Sequence, residues 1–171
     1  MTDVIGRPLL FLDVDGPLIP FGVRPGREPA GQAGFDPPEP ATNPLLARLD
    51  PDHGRRLSAL PCDLVWATTW MEDANDEIAP RLGLPQLPVL VWPDSAEDDE
   101  YDRGLHWKTR GLVEWAAGRS FVWVDDEITD ADRAWVSANH RGRALLHYVD
   151  HRLGLTGEDF DVMGRWLAAH R

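Results

Sequence analysis

A continuous apolar run that ends in two aspartates is the feature that most constrains this chain. Residues 9–12 are all apolar, which is typical of a parallel strand buried on both faces of a sheet. Asp13 and Asp15 follow, and Gly16 behind them allows a sharp turn and a close approach to a ligand. Two carboxylates at a strand end repel each other unless a cation or a proton lies between them. The segment therefore predicts a metal-assisted site at the carboxyl edge of a parallel sheet, with a surface turn as the alternative.

Strand and helix patterns alternate along the rest of the chain. Further strands are predicted at 62–67, 88–92, 120–124 and 144–149. Helices are predicted at 51–60, from about 70, at 108–117 with Gly118 as a left-handed cap, and after the capping pairs Thr129/Asp132 and Thr156/Asp159. This alternation predicts a single α/β domain over 1–171. Its fold is a doubly wound, Rossmann-like, three-layer αβα arrangement with a mainly parallel five-stranded sheet.

A proline-rich segment interrupts the pattern directly after the first strand. Residues 20–44 contain seven prolines and four glycines, a composition that disfavours a regular helix. We expect a loop or flap insertion at about 17–50 that hangs over the end of the first strand, beside the aspartates. A stretch of this length in a compact domain is usually a lid or a disordered segment.

Charge and cysteine content narrow the class of protein. The net charge of −12 argues against non-specific binding to nucleic acid or to anionic membranes, because both need a basic patch. Six of the acids lie within 94–102, which we interpret as a solvated loop. No apolar run approaches the roughly 20 residues that span a bilayer. Cys62 is the only cysteine, so no internal disulfide forms, and its apolar surroundings predict a packed thiol rather than a nucleophile. We expect a cytoplasmic protein.

Polar residues recur where predicted strands end or helices begin. In chain order they are Asp13/Asp15, Thr68, Lys108 and Asp125/Asp126. A parallel sheet gathers such positions along one edge. The set resembles the haloacid dehalogenase-like (HAD) phosphohydrolases, whose motifs are DxDGx, a Thr or Ser ending the second strand, a Lys before a helix and a closing acidic pair. The resemblance covers about residues 8–132. Response-regulator receiver domains use the same residue types, but there the acidic pair comes first and the lysine last, and the order here excludes them.

The resemblance implies a role for each motif position. Asp13 would be the nucleophile that forms an aspartyl-phosphate, and Asp15 the general acid/base. Substrate phosphate would be bound by Thr68, Thr69, Lys108 and Gly16. Mg²⁺ would be the cofactor, with ligands from Asp13, the backbone carbonyl of Asp15, Asp125 and Asp126. In the family either member of the closing pair can be the direct ligand; we prefer Asp125, with Asp126 also in the site and Asp130 in its surroundings.

Departures from the family pattern bear on the substrate. Pro17 replaces the usual Thr or Val and stiffens the turn. Neither 20–44 nor the interval between Thr68 and Lys108 has room for a folded cap domain, so we expect no large cap. An open site of this kind implies a bulky or macromolecular phosphate ester, or covering by another protomer. The segment LVWATTW is also similar to HAD domains associated with nucleic-acid repair proteins and to uncharacterised bacterial members.

The leading hypothesis is a Mg²⁺-dependent phosphomonoester hydrolase acting on a phosphorylated small molecule or on an exposed phosphate of a larger one. The alternatives are a catalytically silent binding or regulatory module, and a metal-dependent phosphodiesterase or nucleic-acid-end phosphatase. Three further residues near the motifs have two interpretations. We interpret His106 as a surface residue rather than a site-lining one, and Trp70 and Trp107 as core rather than pocket residues.

Overall fold

The computed structural model describes residues 6–21, 44–91 and 105–170, and within them the sheet has four parallel strands. The strands are β1 (Leu9–Leu12), β2 (Asp63–Trp66), β3 (Phe121–Asp125) and β4 (Ala144–Tyr148). Their order is β2-β1-β3-β4, and each neighbouring pair is parallel. Four of the five predicted strands are therefore confirmed. Their ends differ from the predicted ones by no more than one residue.

The strand predicted at 88–92 is wrong over its described residues, 88–91. Val89 forms one isolated bridge with Trp66, made by hydrogen bonds of 2.9 Å from Trp66 N to Pro88 O and of 2.9 Å from Leu90 N to Trp66 O. Pro88 has no N–H to extend the ladder, and Val91 is 70% exposed. An apolar composition predicted the strand, but the proline limits the pairing to a single bridge.

Helices connect the strands as predicted, and their local sequence explains their ends. The structure has α1 (Pro51–Ser58), a π-helical turn (Ala74–Ile78) leading into α2 (Ala79–Leu82), α3 (Thr109–Ala116), α4 (Asp130–Asn139) and α5 (Gly157–Ala169), with a 3₁₀ turn at Pro44–Arg48. Both predicted capping boxes are present, at the starts of α4 and α5. The left-handed cap of α3 begins at Ala117, one residue before the predicted Gly118. None of the described helices is long and apolar enough to cross a membrane.

The two faces of the sheet bury separate apolar clusters. Leu10 and Leu12 of β1 point to one side, where they join side chains of α1, α2 and α5. Leu9 and Phe11 point to the other side, where they pack with Leu112 of α3 and with α4. Because successive strand residues face opposite sides, the sheet lies between two helical layers. The predicted three-layer αβα arrangement is confirmed. The buried Cys62, whose pKa is raised to about 12 by burial, is the packed thiol that the sequence predicts.

Two predicted loops lie outside the described residues. They are most of the proline-rich insertion, at 22–43, and the acidic segment within 92–104. The described part of the chain still fixes the geometry of the carboxyl edge of the sheet. β2 lies on one side of β1 and β3 on the other, so the chain reverses its direction of winding between β1 and β3. Crevices at such a switch point are where open α/β sheets bind ligands.

Candidate active site

The turn after β1 brings the first motif against the closing acidic pair. The Asp13 N–H donates to the Val124 carbonyl at 3.1 Å, which extends the β1–β3 ladder by one residue. Beyond it, the N–H groups of Leu18 and Ile19 both donate to the Val14 carbonyl at 3.0 Å and close a tight turn. Gly16 has φ +99°, and a Cβ on it would lie 2.6 Å from Cγ of Asp126. Only glycine combines this conformation with this close approach.

Lys108 lies between two carboxylates in the interior of the site. Its Nζ is 3.1 Å from Oδ1 of Asp13 and 2.9 Å from Oδ2 of Asp125. The three residues are only 3%, 6% and 1% exposed, respectively. Because Lys108 immediately precedes α3, this contact joins the start of that helix to the ends of β1 and β3. The structure therefore places three of the predicted site residues in one buried ionic cluster.

The cluster holds more negative charge than Lys108 can balance. Burial raises the pKa of Asp13 to about 8; Lys108 opposes this rise and Asp125 adds to it. Burial, together with the hydrogen bond to Asp125 and its charge, raises the pKa of Asp126 to about 7. Burial acts in the same upward direction on Asp125, but the interaction with Lys108 outweighs it and lowers that pKa. The Lys108 pKa is raised, because Asp13 and Asp125 outweigh the effect of burial.

The same carboxylates could hold a divalent cation. Asp13, Asp125 and Asp126 each offer an oxygen, and these oxygens lie within 4.8 Å of one another. Carboxylate oxygens are the hard ligands that Mg²⁺ takes in proteins. A divalent cation would also oppose the rise in pKa that burial causes at Asp13 and Asp126. By donor chemistry and by charge, this set fits Mg²⁺.

Trp70, in the turn that follows β2, links Thr68 to Asp15. The Ala67 N–H donates to the Leu12 carbonyl at 2.9 Å, so this turn starts beside the end of β1. Thr68 is buried, and its Oγ1 accepts a 3.2 Å hydrogen bond from the Trp70 backbone N–H. The Trp70 indole Nε1 donates to Oδ2 of Asp15 at 3.2 Å. Trp70 is half-buried and contacts a site residue, so it is not simply a core residue as the sequence suggested.

His106 is not the surface residue that the sequence suggested. Only 7% of its side chain is exposed, and the ring packs edge-on against Trp123 with centroids 5.5 Å apart. Its Nδ1 accepts a 3.1 Å hydrogen bond from the Lys108 backbone N–H. The proton of the neutral ring must then be on Nε2, which lies 2.9 Å from Oε2 of Glu127. His106 thus joins the segment before α3 to the segment after β3.

Asp132 is a buried carboxylate that does more than cap a helix. Its Oδ1 accepts hydrogen bonds from the His106 N–H at 2.7 Å and from Thr109 Oγ1 at 2.8 Å. Its Oδ2 accepts from the Thr129 N–H at 2.9 Å within the capping box. The capping pattern identified Asp132, but only as a helix cap, whereas it also fastens the segment around Lys108 to α4. Asp130, expected near the site, instead has a fully exposed side chain 3.6 Å from Arg133.

Comparison with known protein families gives a match over most of the chain. The model of the family described as the HAD domain in Swiss Army Knife RNA repair proteins matches residues 9–160. The chain belongs to this HAD family. Neither the curated proteins nor the solved structures contain a match to it. The resemblance drawn from the four motifs is therefore confirmed, and phosphohydrolase-type chemistry is the activity that HAD membership suggests.

In this HAD domain the four motif positions meet at one edge of the sheet, but not all in one contact network. Asp13, Lys108 and Asp125 form the buried cluster, and the half-buried Asp126 lies beside them. Asp15 and Thr68 are joined through Trp70. Thr69 is exposed beside them. The edge therefore offers the buried carboxylate of Asp13 beside Lys108, the half-buried carboxylate of Asp15, and the buried hydroxyl of Thr68.

Proposed function

We propose that this HAD domain is a Mg²⁺-dependent phosphomonoester hydrolase that forms an aspartyl-phosphate on Asp13. The observation that carries the proposal is the buried contact of Asp13 with Lys108, 3.1 Å from Oδ1 to Nζ, next to Asp125 and Asp126. A cluster with surplus buried negative charge is poor at stabilising a fold. Strongly perturbed carboxylates in a crevice are typical of functional sites.

Two carboxylates with different surroundings can divide the chemistry. Asp13 attacks phosphorus, the ester P–O bond breaks, and Asp15 donates a proton to the departing oxygen, which leaves as an alcohol. A water molecule then attacks phosphorus of the aspartyl-phosphate while Asp15 takes up a proton from that water. Inorganic phosphate leaves, and Asp13 and Asp15 return to their starting states.

The charge of the cluster must be reduced before Asp13 can act on a phosphate dianion. When bound, Mg²⁺ would supply the positive charge that lowers the repulsion between the cluster and this dianion. Asp13, Asp125 and Asp126 would hold it through carboxylate oxygens, and Asp15 through its backbone carbonyl. Asp13 has a pKa of about 8 with Lys108 as its neighbouring cation, so a second positive charge favours the ionised nucleophile at neutral pH.

Thr68, Thr69 and Lys108 are suited to bind the phosphoryl group. Because Oγ1 of Thr68 accepts from the Trp70 N–H, its own hydroxyl proton is available for a phosphoryl oxygen. The Lys108 ammonium would stabilise charge on the transferring group. The Thr69 backbone N–H and the close turn at Gly16 complete the proposed phosphate site.

Turnover of an aryl phosphate by the wild type and by Asp13→Asn tests the proposal. We expect hydrolysis that requires Mg²⁺ and is stopped by EDTA. Asp13→Asn should lose about 10³-fold or more in kcat, because the nucleophile is removed. Asp161→Asn, an exposed change on α5, is the control and should keep the wild-type rate. Full activity in Asp13→Asn would exclude the mechanism, and Mg²⁺ binding without hydrolysis of any phosphate ester would favour the silent binding module.

A phosphate at a nucleic-acid end is the second candidate substrate, and the description of the matched family in terms of RNA repair favours it. We infer a single domain over 1–171 without a large cap, which leaves room for a phosphate carried on a large molecule. Oligoribonucleotides phosphorylated at the 3′ or the 5′ end should then give a higher kcat/KM than small phosphate esters. Equal or lower values would favour a small-molecule substrate.

A further inference from the structure

Among the described residues, Trp70 makes the one side-chain hydrogen bond to the Asp15 carboxylate. The indole Nε1 lies 3.2 Å from Oδ2 of Asp15, although the two residues are 55 positions apart in the sequence. Both residues are half-buried. The contact therefore lies at the accessible rim of the site, whereas Asp13 is buried.

The chemistry of the indole assigns a different task to each oxygen of Asp15. An indole N–H can only donate, so Oδ2 must act as an acceptor whether the carboxyl group is ionised or protonated. The carbonyl oxygen of a protonated carboxyl group is the better acceptor, so this hydrogen bond favours a proton of Asp15 on Oδ1. The hydrogen bond also fixes the plane of the carboxyl group, which otherwise rotates freely about its terminal torsion. Oδ1 is then held ready to exchange a proton in a constant direction.

The backbone around Trp70 is held firmly enough to make such an orientation effective. The Trp70 N–H donates to Thr68 Oγ1, and Met71 adopts φ +51°, a left-handed conformation that non-glycine residues rarely take. Asn75 then anchors the following π-helical turn. Its side-chain amide accepts from Trp66 Nε1 at 2.9 Å and from Leu87 N at 2.8 Å, and donates to Leu87 O at 2.9 Å. Strained backbone and π-helical turns both concentrate at functional sites.

We propose that Trp70 is a positioning residue that acts through Asp15 and makes the site competent for phosphate esters of poor leaving groups, that is, of aliphatic alcohols. The inference rests on the proposed function. An alkoxide leaves only if it is protonated as the P–O bond breaks, so its departure depends on where the Oδ1 proton points. A nitrophenolate is a stable anion and leaves without that proton. Trp70 therefore affects which class of ester is hydrolysed, and it does not affect the attack by Asp13.

A pair of esters of similar size separates this role from simple pocket shape. Benzyl phosphate has an alcohol leaving group, and 4-nitrophenyl phosphate has a stabilised one. In Trp70→Phe, which keeps a ring but removes the N–H, kcat/KM for benzyl phosphate should fall about 10–100-fold, and that for 4-nitrophenyl phosphate less than about 3-fold. Trp115→Phe on α3 is the matched control and should leave the ratio of the two unchanged. Equal losses on both esters, or no loss on either, would overturn the proposal.

The double variant tests whether Trp70 acts through Asp15. Asp15→Ala removes the group through which Trp70 is proposed to act. Adding Trp70→Phe to Asp15→Ala should therefore leave the ratio of kcat/KM for the two esters unchanged. A further change in that ratio would show that Trp70 acts independently of Asp15, and would contradict the proposal.

A measurement that needs no catalytic activity tests this inference separately from the proposed function. If the wild type hydrolyses neither ester, the proposed function fails, and the indole N–H resonance of Trp70 then decides whether the contact exists. That resonance is assigned as the one missing from Trp70→Phe. It should move in Asp15→Ala and stay in place in the Asp161→Asn control. An unmoved resonance in Asp15→Ala would overturn the inference.

Discussion

Two ionic clusters of this protein use the same residue types in opposite ways. On the surface of α1, Asp52 accepts hydrogen bonds from Arg55 at 2.6 Å and from Arg56 at 3.0 Å, so two cations serve one acid. These hydrogen bonds lower the pKa of Asp52. At the carboxyl edge of the sheet, one cation, Lys108, serves the buried Asp13 and Asp125, with Asp126 beside them. There, burial raises the pKa of Asp13 to about 8.

The difference separates what a charge does for the fold from what it does for function. Exposed pairs such as those of α1 are screened by water and contribute little to stability. A buried cluster with surplus negative charge opposes folding unless something else neutralises it. Such a cluster is suited to take up a cation and then a phosphate. Substitutions in each cluster test whether the two differ in this way.

Removal of the central cation should have the largest effect. Lys108→Met leaves Asp13 and Asp125 buried without their partner, and we expect a loss of about 3–5 kcal/mol in the free energy of unfolding. Urea denaturation measures it. Arg56→Met on α1 is the control, and its midpoint should shift far less. Similar shifts for the two variants would contradict the contrast between the clusters.

The stability of the metal-free protein should change with pH in opposite directions at the two clusters. The folded-state pKa of Asp13, about 8, lies above the ordinary value of 3.8. Its contribution is therefore fully present below pH 3.8 and is lost as the pH rises towards 8. The pKa of Asp52 is lowered, so its contribution is present above the ordinary value and is lost in acid.

Variants isolate these two contributions. In EDTA, the stability of Asp13→Asn relative to the wild type should increase between pH 4 and 8, a window set by the ordinary and the raised pKa of Asp13. Asp52→Asn should differ from the wild type at neutral pH and converge with it in acid. Thermal unfolding across this range measures both. If the difference in stability between Asp13→Asn and the wild type were constant over this range, the pKa of Asp13 would not be raised in the folded protein.

The close turn at Gly16 gives a smaller and more local test. Gly16→Ala combines a positive φ with a Cβ 2.6 Å from Cγ of Asp126, so we expect a loss of roughly 1–2 kcal/mol in stability and weaker Mg²⁺ binding. Gly83→Ala is the matched control, because Gly83 has φ +69° and nothing within 4 Å of the added Cβ. It should lose stability without any change in Mg²⁺ affinity. Isothermal titration separates the two outcomes, and unchanged affinity in Gly16→Ala would remove Asp126 from the metal site.

Local sequence signals predicted the fold well, and the site in part. The buried strand at Leu9–Leu12 and the two capping boxes depend on neighbouring residues, and the structure confirms them. The strand at 88–92 failed because a single proline outweighed its apolar composition. The motif positions could be placed on one edge because parallel strands share their carboxyl ends.

Contacts between distant segments were beyond the sequence. His106 lies 21 residues from Glu127 and 26 from Asp132, and no local pattern pairs them. The contact of Trp70 with Asp15 spans 55 residues. Taken alone in the sequence, each of these residues is expected to have only a structural role. Only the three-dimensional arrangement shows that they lie in hydrogen-bonded contact with or beside the motif residues.

Direct detection of the covalent intermediate tests the central claim, that Asp13 is the buried nucleophile of a phosphohydrolase. The protein would be mixed with an aryl phosphate and Mg²⁺, quenched in acid within the first turnover, and digested for mass spectrometry. We expect one phosphoryl group on the peptide that contains Asp13, and none when Asp13→Asn is treated in the same way. Hydrolysis of the ester with no phosphoryl group on Asp13 would contradict the account.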